Sequence, residues 1–163
     1  MSTDGRSESI FAGVGGMLDD LEELYKDVHR HPELSMQEAR TASLAAERLE
    51  KAGFEVTTGV GTTGVVGLLR NGEGPTVMLR ADMDALPVQE QTGLDYASET
   101  DGVMHACGHD MHVAWLAGAA TELSAARDDW HGTLLAVFQP AEETAAGAHR
   151  ECATHARLPA RPT

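Results

Sequence analysis

Two short apolar runs each end in a pair of acids, and no other feature constrains the fold as much. Residues 76–81 lead directly into Asp82 and Asp84, and residues 133–138 lead through Gln139-Pro140 into Glu142 and Glu143. A short apolar run bounded by turn formers reads as a strand, and residues 133–138 as a buried one. In open α/β sheets, ligands bind at the carboxyl ends of strands, which is where these acids stand. A third cluster, His105, Cys107, His109, Asp110 and His112, lies just before the small-residue helical pattern of residues 113–127. One site collecting all three clusters is therefore expected.

The remaining pattern supports an α/β sandwich. From Met17, the apolar positions Leu18, Leu21, Leu24, Tyr25 and Val28 recur at helical spacing, with acids on the other face. Pro32 ends that helix. Ser35 followed by Glu38 reads as a capping box opening a second helix through Leu44, Ala45 and Leu49, with Gly53 as its C-cap. Strands are expected over 65–70 and 76–81, with Asn71-Gly72 turning between them. Helices alternating with short apolar strands favour an α/β arrangement.

Charge and cysteine use narrow the function classes. The 163 residues carry a net charge of −14, which opposes binding to nucleic acid or an anionic membrane. No stretch approaches the roughly 20 apolar residues of a membrane span. Cys107 and Cys152 form no disulfide framework, so a reduced, cytoplasmic setting is expected. Residues 1–16 read as a flexible leader, 17–148 as one domain and 149–163 as an anomalous basic tail. That tail sets Arg150, Arg157, Arg161, His149 and His155 against a single acid, Glu151, and reads like translation in a shifted frame.

The dense cluster from His105 to His112 points to metal. Thiolate and imidazole suit zinc and other transition ions, and carboxylates tolerate manganese. Alternation on an extended loop would turn Cys107 and His109 the same way. Of Glu142 and Glu143, one carboxylate would bind metal and the other would take a proton from metal-activated water. Gly59-x-Gly61-x-x-Gly64 matches a dinucleotide fingerprint, but an extended run follows it where a helix is needed, so it reads as a turn. A nucleophilic Cys107 beside His109 is the weaker alternative, given the further histidines around it.

Three motifs carry a family resemblance: Arg80-Ala-Asp-Met-Asp-Ala-Leu-Pro87, Met104-His-Ala-Cys-Gly-His-Asp-Met-His112 and Phe138-Gln-Pro-Ala-Glu-Glu143. Together they resemble the M20 metallopeptidase clan, above all its amidohydrolase branch of hippurate and N-acyl amino acid hydrolases. His29-Arg-His-Pro-Glu-Leu-Ser35 resembles that branch's N-terminal signature, and agreement runs from about Leu18 to Ala148. The resemblance implies a three-layer α/β sandwich of the zinc-exopeptidase type, present here only as the N-terminal part of the catalytic domain. It implies Cys107, His109 and Glu143 as metal ligands, Glu142 as general base and Asp84 as the aspartate that orients the ligands. Asp82 stands where peptidase relatives have a histidine ligand, and no metal role is carried over to His105 or His112.

Two divalent ions (Mn, Zn, Co or Ni) and a small N-acyl amino acid substrate are implied, with a homodimer in full-length members. Two further histidine ligands and a lid domain of the family have no counterpart in this sequence. The alternative to an amidohydrolase is therefore a truncated, inactive fragment of one. A third reading, a small metal-binding module, requires a site closed by this chain alone.

Overall fold

A computed structural model describes residues 11–147. The first amphipathic pattern forms α1 (Val14–Arg30), which buries Leu24, Val28 and His29. Pro32 follows directly, and the helix closes with the His31 N–H donating to the Val28 carbonyl at 3.2 Å. The second pattern forms α2 (Ala39–Lys51), buried through Ala42, Ala45, Ala46 and Leu49. Gly53 closes it as expected, with φ at 79° and its N–H on the Glu50 carbonyl.

Among the described residues, four strands make one mixed sheet: β1 (Glu55–Val60), β2 (Gly64–Asn71), β3 (Thr76–Asp82) and β4 (Gly132–Gln139), in the order β1-β2-β4-β3. Between β3 and β4 the chain runs through a long loop into α3 (His109–Ala125) and a short 3-10 turn, Arg127–Asp129. The strands expected over 65–70, 76–81 and 133–138 all form, each slightly longer than its apolar run. β1 escaped the sequence reading because most of its side chains are exposed and its run, Glu-Val-Thr-Thr-Gly-Val, carries little apolar signal. The glycine run around residue 60 is a turn, with Gly59 and Gly61 at positive φ, and it joins β1 to antiparallel β2.

The expected turn at Asn71-Gly72 exists, with Gly72 at φ 77°, but it does not make a hairpin. β4 inserts between β2 and β3, antiparallel to the first and parallel to the second. Local turn chemistry marks a reversal without naming the strand that will pair. The parallel pairing is what builds the site, since it puts the C-terminal ends of β3 and β4 side by side, with Asp82 opposite Gln139.

Among the described residues the helices pack on one face of the sheet. Their core joins Val28, Leu49 and Val113 to Val65, Leu69, Ala81, Leu134, Ala136 and Phe138. Each of the valine, leucine and phenylalanine side chains among these contributes about 1.5–3 kcal/mol on burial. Gly118 lets α1 approach α3, because a Cβ there would stand 2.7 Å from a methyl carbon of Leu21. The opposite face carries a small cluster, Val60, Val66 and Val137, flanked by Leu135. Beyond β3 the sheet has no further strand among the described residues, and Val77 and Met78 are 51% and 60% exposed. The residue-149–163 tail, with Cys152, lies outside the described residues, as does most of the expected leader.

Candidate metal centre

Asp84 organises the ends of β3 and β4. Its carboxylate is buried and accepts the backbone N–H of Glu142 at 3.1 Å, that of Glu143 at 3.0 Å and the Ser35 hydroxyl at 2.6 Å. The His109 Nδ1 stands 3.4 Å from the same carboxylate and donates to the Asp84 carbonyl at 2.8 Å. Burial pushes the Asp84 pKa up, but hydrogen bonds from His109, Ser35 and the two glutamate backbones outweigh it and hold the group at about 2. For His109 the bond to Asp84 dominates and raises the imidazole to about 9.

Once the His109 ring gives up its extra proton, the hydrogen bond at Nδ1 fixes the neutral tautomer and leaves Nε2 as the nitrogen that can bind metal. His109, Glu142 and Glu143 offer ligand atoms that all lie within 4.8 Å of one another. Glu143 Oε1 is buried with no hydrogen-bond partner, whereas the Glu142 side chain is 43% exposed and its Oε2 stands 3.9 Å from His109 Nε2. An orphaned buried carboxylate oxygen beside a free imidazole nitrogen fits a divalent cation. Cys107 is exposed. A hydrogen bond to Glu143, then burial and the charges of Glu143, Glu142 and Asp84, push its thiol up from the ordinary value. A cation among these acids would reverse that push, because a coordinated thiol loses its proton.

Sequence reasoning placed the Cys-His segment on an extended loop ahead of a helix. Gly108 instead turns at φ 77° and serves as the N-cap of α3, so His109, Asp110 and His112 lie in the first helical turn and only His105 and Cys107 precede it. The alternation argument for Cys107 and His109 therefore does not hold. Cys107 reaches the site through Glu143, and it lies outside the group formed by His109, Glu142 and Glu143.

The capping box at Ser35 and Glu38 is also corrected. Neither side chain caps α2. The Glu33 carboxylate does so, accepting the Arg40 and Thr41 N–H groups at 2.9 and 2.8 Å. Ser35 serves Asp84. Glu38, fully buried, accepts the Ala141 N–H at 2.8 Å and the Thr63 hydroxyl at 2.5 Å. It thereby anchors the loop that carries Glu142 and Glu143, where Ala141 holds a positive φ of 52°. A short-range motif and a long-range anchor use the same residue types, so the sequence alone favoured the local reading.

His29 was missed as well. It is buried, with Nδ1 2.5 Å from Asp110 and Nε2 3.2 Å from Glu90, tying α1 and the long loop to the first turn of α3. His105 is buried with neither ring nitrogen partnered, and burial lowers its pKa to about 4. Asp82 pairs with Arg80 through two donors, at 2.9 and 2.6 Å.

The model of peptidase family M20/M25/M40 matches residues 78–161. The chain belongs to that family. It is 47% identical over 127 residues to N-acetylcysteine deacetylase of Bacillus subtilis, covering 77% of this chain and 33% of that protein. Hippurate hydrolase of Campylobacter jejuni is 47% identical over 130 residues, covering 79% and 33%. Among solved structures, the B. subtilis YXEP protein, described as a dinuclear metal-binding peptidase of the M20 family, superposes with a TM-score of 0.80 at 43% identity. That superposition covers 85% of this chain and 39% of the other. The M20 chain described here thus spans about a third of the length of these curated relatives, and its mixed α/β fold is that of M20 dinuclear-metal peptidases.

Proposed function

We propose that this chain carries part of the metal centre of an amidohydrolase acting on N-acyl amino acids or similar small conjugates. The convergence of His109, Glu142 and Glu143 at the joined ends of β3 and β4 supports this reading most directly. Cys107, His109 and Glu143 would hold a divalent ion, of the manganese, zinc, cobalt or nickel kind. Bound there, such an ion supplies a Lewis acid that polarises the scissile carbonyl and makes water more acidic.

The chain's own groups divide the remaining work. Glu142, exposed at the rim, takes a proton from the attacking water and returns it to the leaving amine nitrogen. Asp84 holds His109 in the tautomer that frees Nε2, and its two oxygens fix the backbone of both glutamates. The names of the deacetylase and hippurate hydrolase relatives support a small acylated amino acid as substrate. A cytoplasmic location and a homodimer in the complete assembly belong to the same reading. Among the described residues, no helix is long and apolar enough to cross a membrane.

A second reading follows from coverage. The chain matches only about a third of each curated relative, and the proposed ligand set numbers three side chains. On that reading the chain binds metal and does not turn over. Assay of the 163-residue chain with N-acetylcysteine and hippurate, after loading with manganese or zinc, separates the two. Hydrolysis abolished by Glu142→Gln with metal content retained supports the amidohydrolase. Metal uptake without hydrolysis supports the fragment, and neither uptake nor hydrolysis contradicts both.

A further inference from the structure

We propose that Asp82, His109 and His112 form a second divalent-metal site, which competes with the Cys107–Glu143 side for His109. This site goes beyond the proposed function and does not depend on Cys107 or Glu143. The three side chains offer ligand atoms that all lie within 4.8 Å of one another. Two imidazoles and one carboxylate are a donor set that suits borderline first-row ions such as zinc, cobalt or nickel.

The local geometry favours a shared ion over a salt bridge. His112 Nδ1 stands 3.9 Å from Asp82 Oδ2, too far for a hydrogen bond. Two donors about 2.1 Å from one tetrahedral ion stand about 3.4 Å apart, so a small side-chain rotation suffices. Arg80 occupies Asp82 Oδ1 with two N–H donors and leaves Oδ2 on the His112 side. Such an outer partner orients a ligating carboxylate.

The His112 ring is tilted 31° to that of His109, with centroids 5.3 Å apart, and it also meets the Trp115 ring at 6.0 Å. Beside this group a groove of about 620 Å³, lined by Arg80, Asp82, His112 and Trp115 among others, leaves room for the water molecules that complete the coordination. Because the Asp84 carbonyl takes His109 Nδ1, His109 has one free nitrogen. It can serve one ion at a time, so the two sites exclude each other at His109.

Cobalt(II) titration of the full 163-residue chain tests this, because thiolate ligation adds a near-ultraviolet charge-transfer band that imidazole and carboxylate ligation lacks. In the Cys107→Ser, Glu143→Gln double variant, one cobalt equivalent should still bind without that band. Adding His112→Ala or Asp82→Asn should weaken this binding by about tenfold or more, the least that loss of even an outer partner costs. His112 is 40% exposed, so its replacement leaves the core intact, and circular dichroism checks folding. Cys107→Ser alone, a near-isosteric change at an exposed thiol, provides a second background. The proposal is overturned if the double variant binds no cobalt, or if His112→Ala leaves its affinity unchanged. Failure of the Cys107–Glu143 reading is a separate result: no charge-transfer band in the unmutated chain.

Discussion

The buried Glu38 carboxylate accepts the backbone N–H of Ala141 at 2.8 Å across 103 residues of sequence. This bond ties the start of α2 to the loop that carries Glu142 and Glu143. A buried hydrogen bond to a carboxylate contributes about 1.5–3 kcal/mol. Glu38→Ala should therefore lower stability by about 2–3 kcal/mol in urea unfolding, and Glu38→Gln, which keeps an acceptor, by less. Equal losses in the two variants would mean that packing, and not the Ala141 bond, is what Glu38 provides.

Asp84 makes a pH prediction for the metal-free chain. Its pKa is about 2 when folded and about 3.9 when unfolded. A depressed carboxylate pKa contributes stability that is fully present above the unfolded value and is lost as pH falls through the folded one. The stability gap between the unmutated chain and Asp84→Asn should be level between about pH 5 and 6, close toward pH 2, and narrow again as pH rises toward 9, where His109 gives up the proton that Asp84 favours. Urea titrations across that range measure it, and a gap independent of pH would contradict the assignment.

The site was partly legible in the sequence. Asp84, His109, Glu142 and Glu143 were readable because acids at strand ends and a histidine cluster before a helix are local patterns. The parallel β3–β4 pairing that unites them agrees with the strand-end rule. What was not legible was long-range. Ser35 and Glu38 satisfied a capping box on paper, yet their partners are Asp84, Thr63 and Ala141. The β2–β3 hairpin failed for the same reason, since the true neighbour of both strands, β4, comes about 60 residues after β2. Gly108, a left-handed residue between the cysteine and the histidine, breaks the period of two on which the extended-loop expectation relied.

Metal affinity should rise with pH. The folded chain holds a proton on His109 up to about pH 9, and the Cys107 thiol is pushed above its ordinary value. Both must lose protons to bind metal, so lower pH opposes binding. Calorimetry with zinc at pH 6.5 and 8 should show tighter binding at the higher value, by about a decade per pH unit for each proton released. Equal affinity at the two values would remove His109 and Cys107 from the ligand set.

Among the described residues β3 is an edge strand of the sheet. Met78 is 60% exposed on that strand, and Trp115 on α3 is 64% exposed. An edge strand with exposed apolar side chains invites pairing with another chain. Met78→Lys should reduce self-association in sedimentation velocity while changing stability by no more than about 0.5 kcal/mol. Unchanged association would place the contact elsewhere.

The division of labour between the two glutamates is the central claim, and cobalt(II) absorption at pH 8 tests it most directly. The account predicts a thiolate-to-cobalt band in the unmutated chain, a band kept in Glu142→Gln, and a band lost in Glu143→Gln. A band lost in Glu142→Gln and kept in Glu143→Gln, or absent from the unmutated chain, would contradict it.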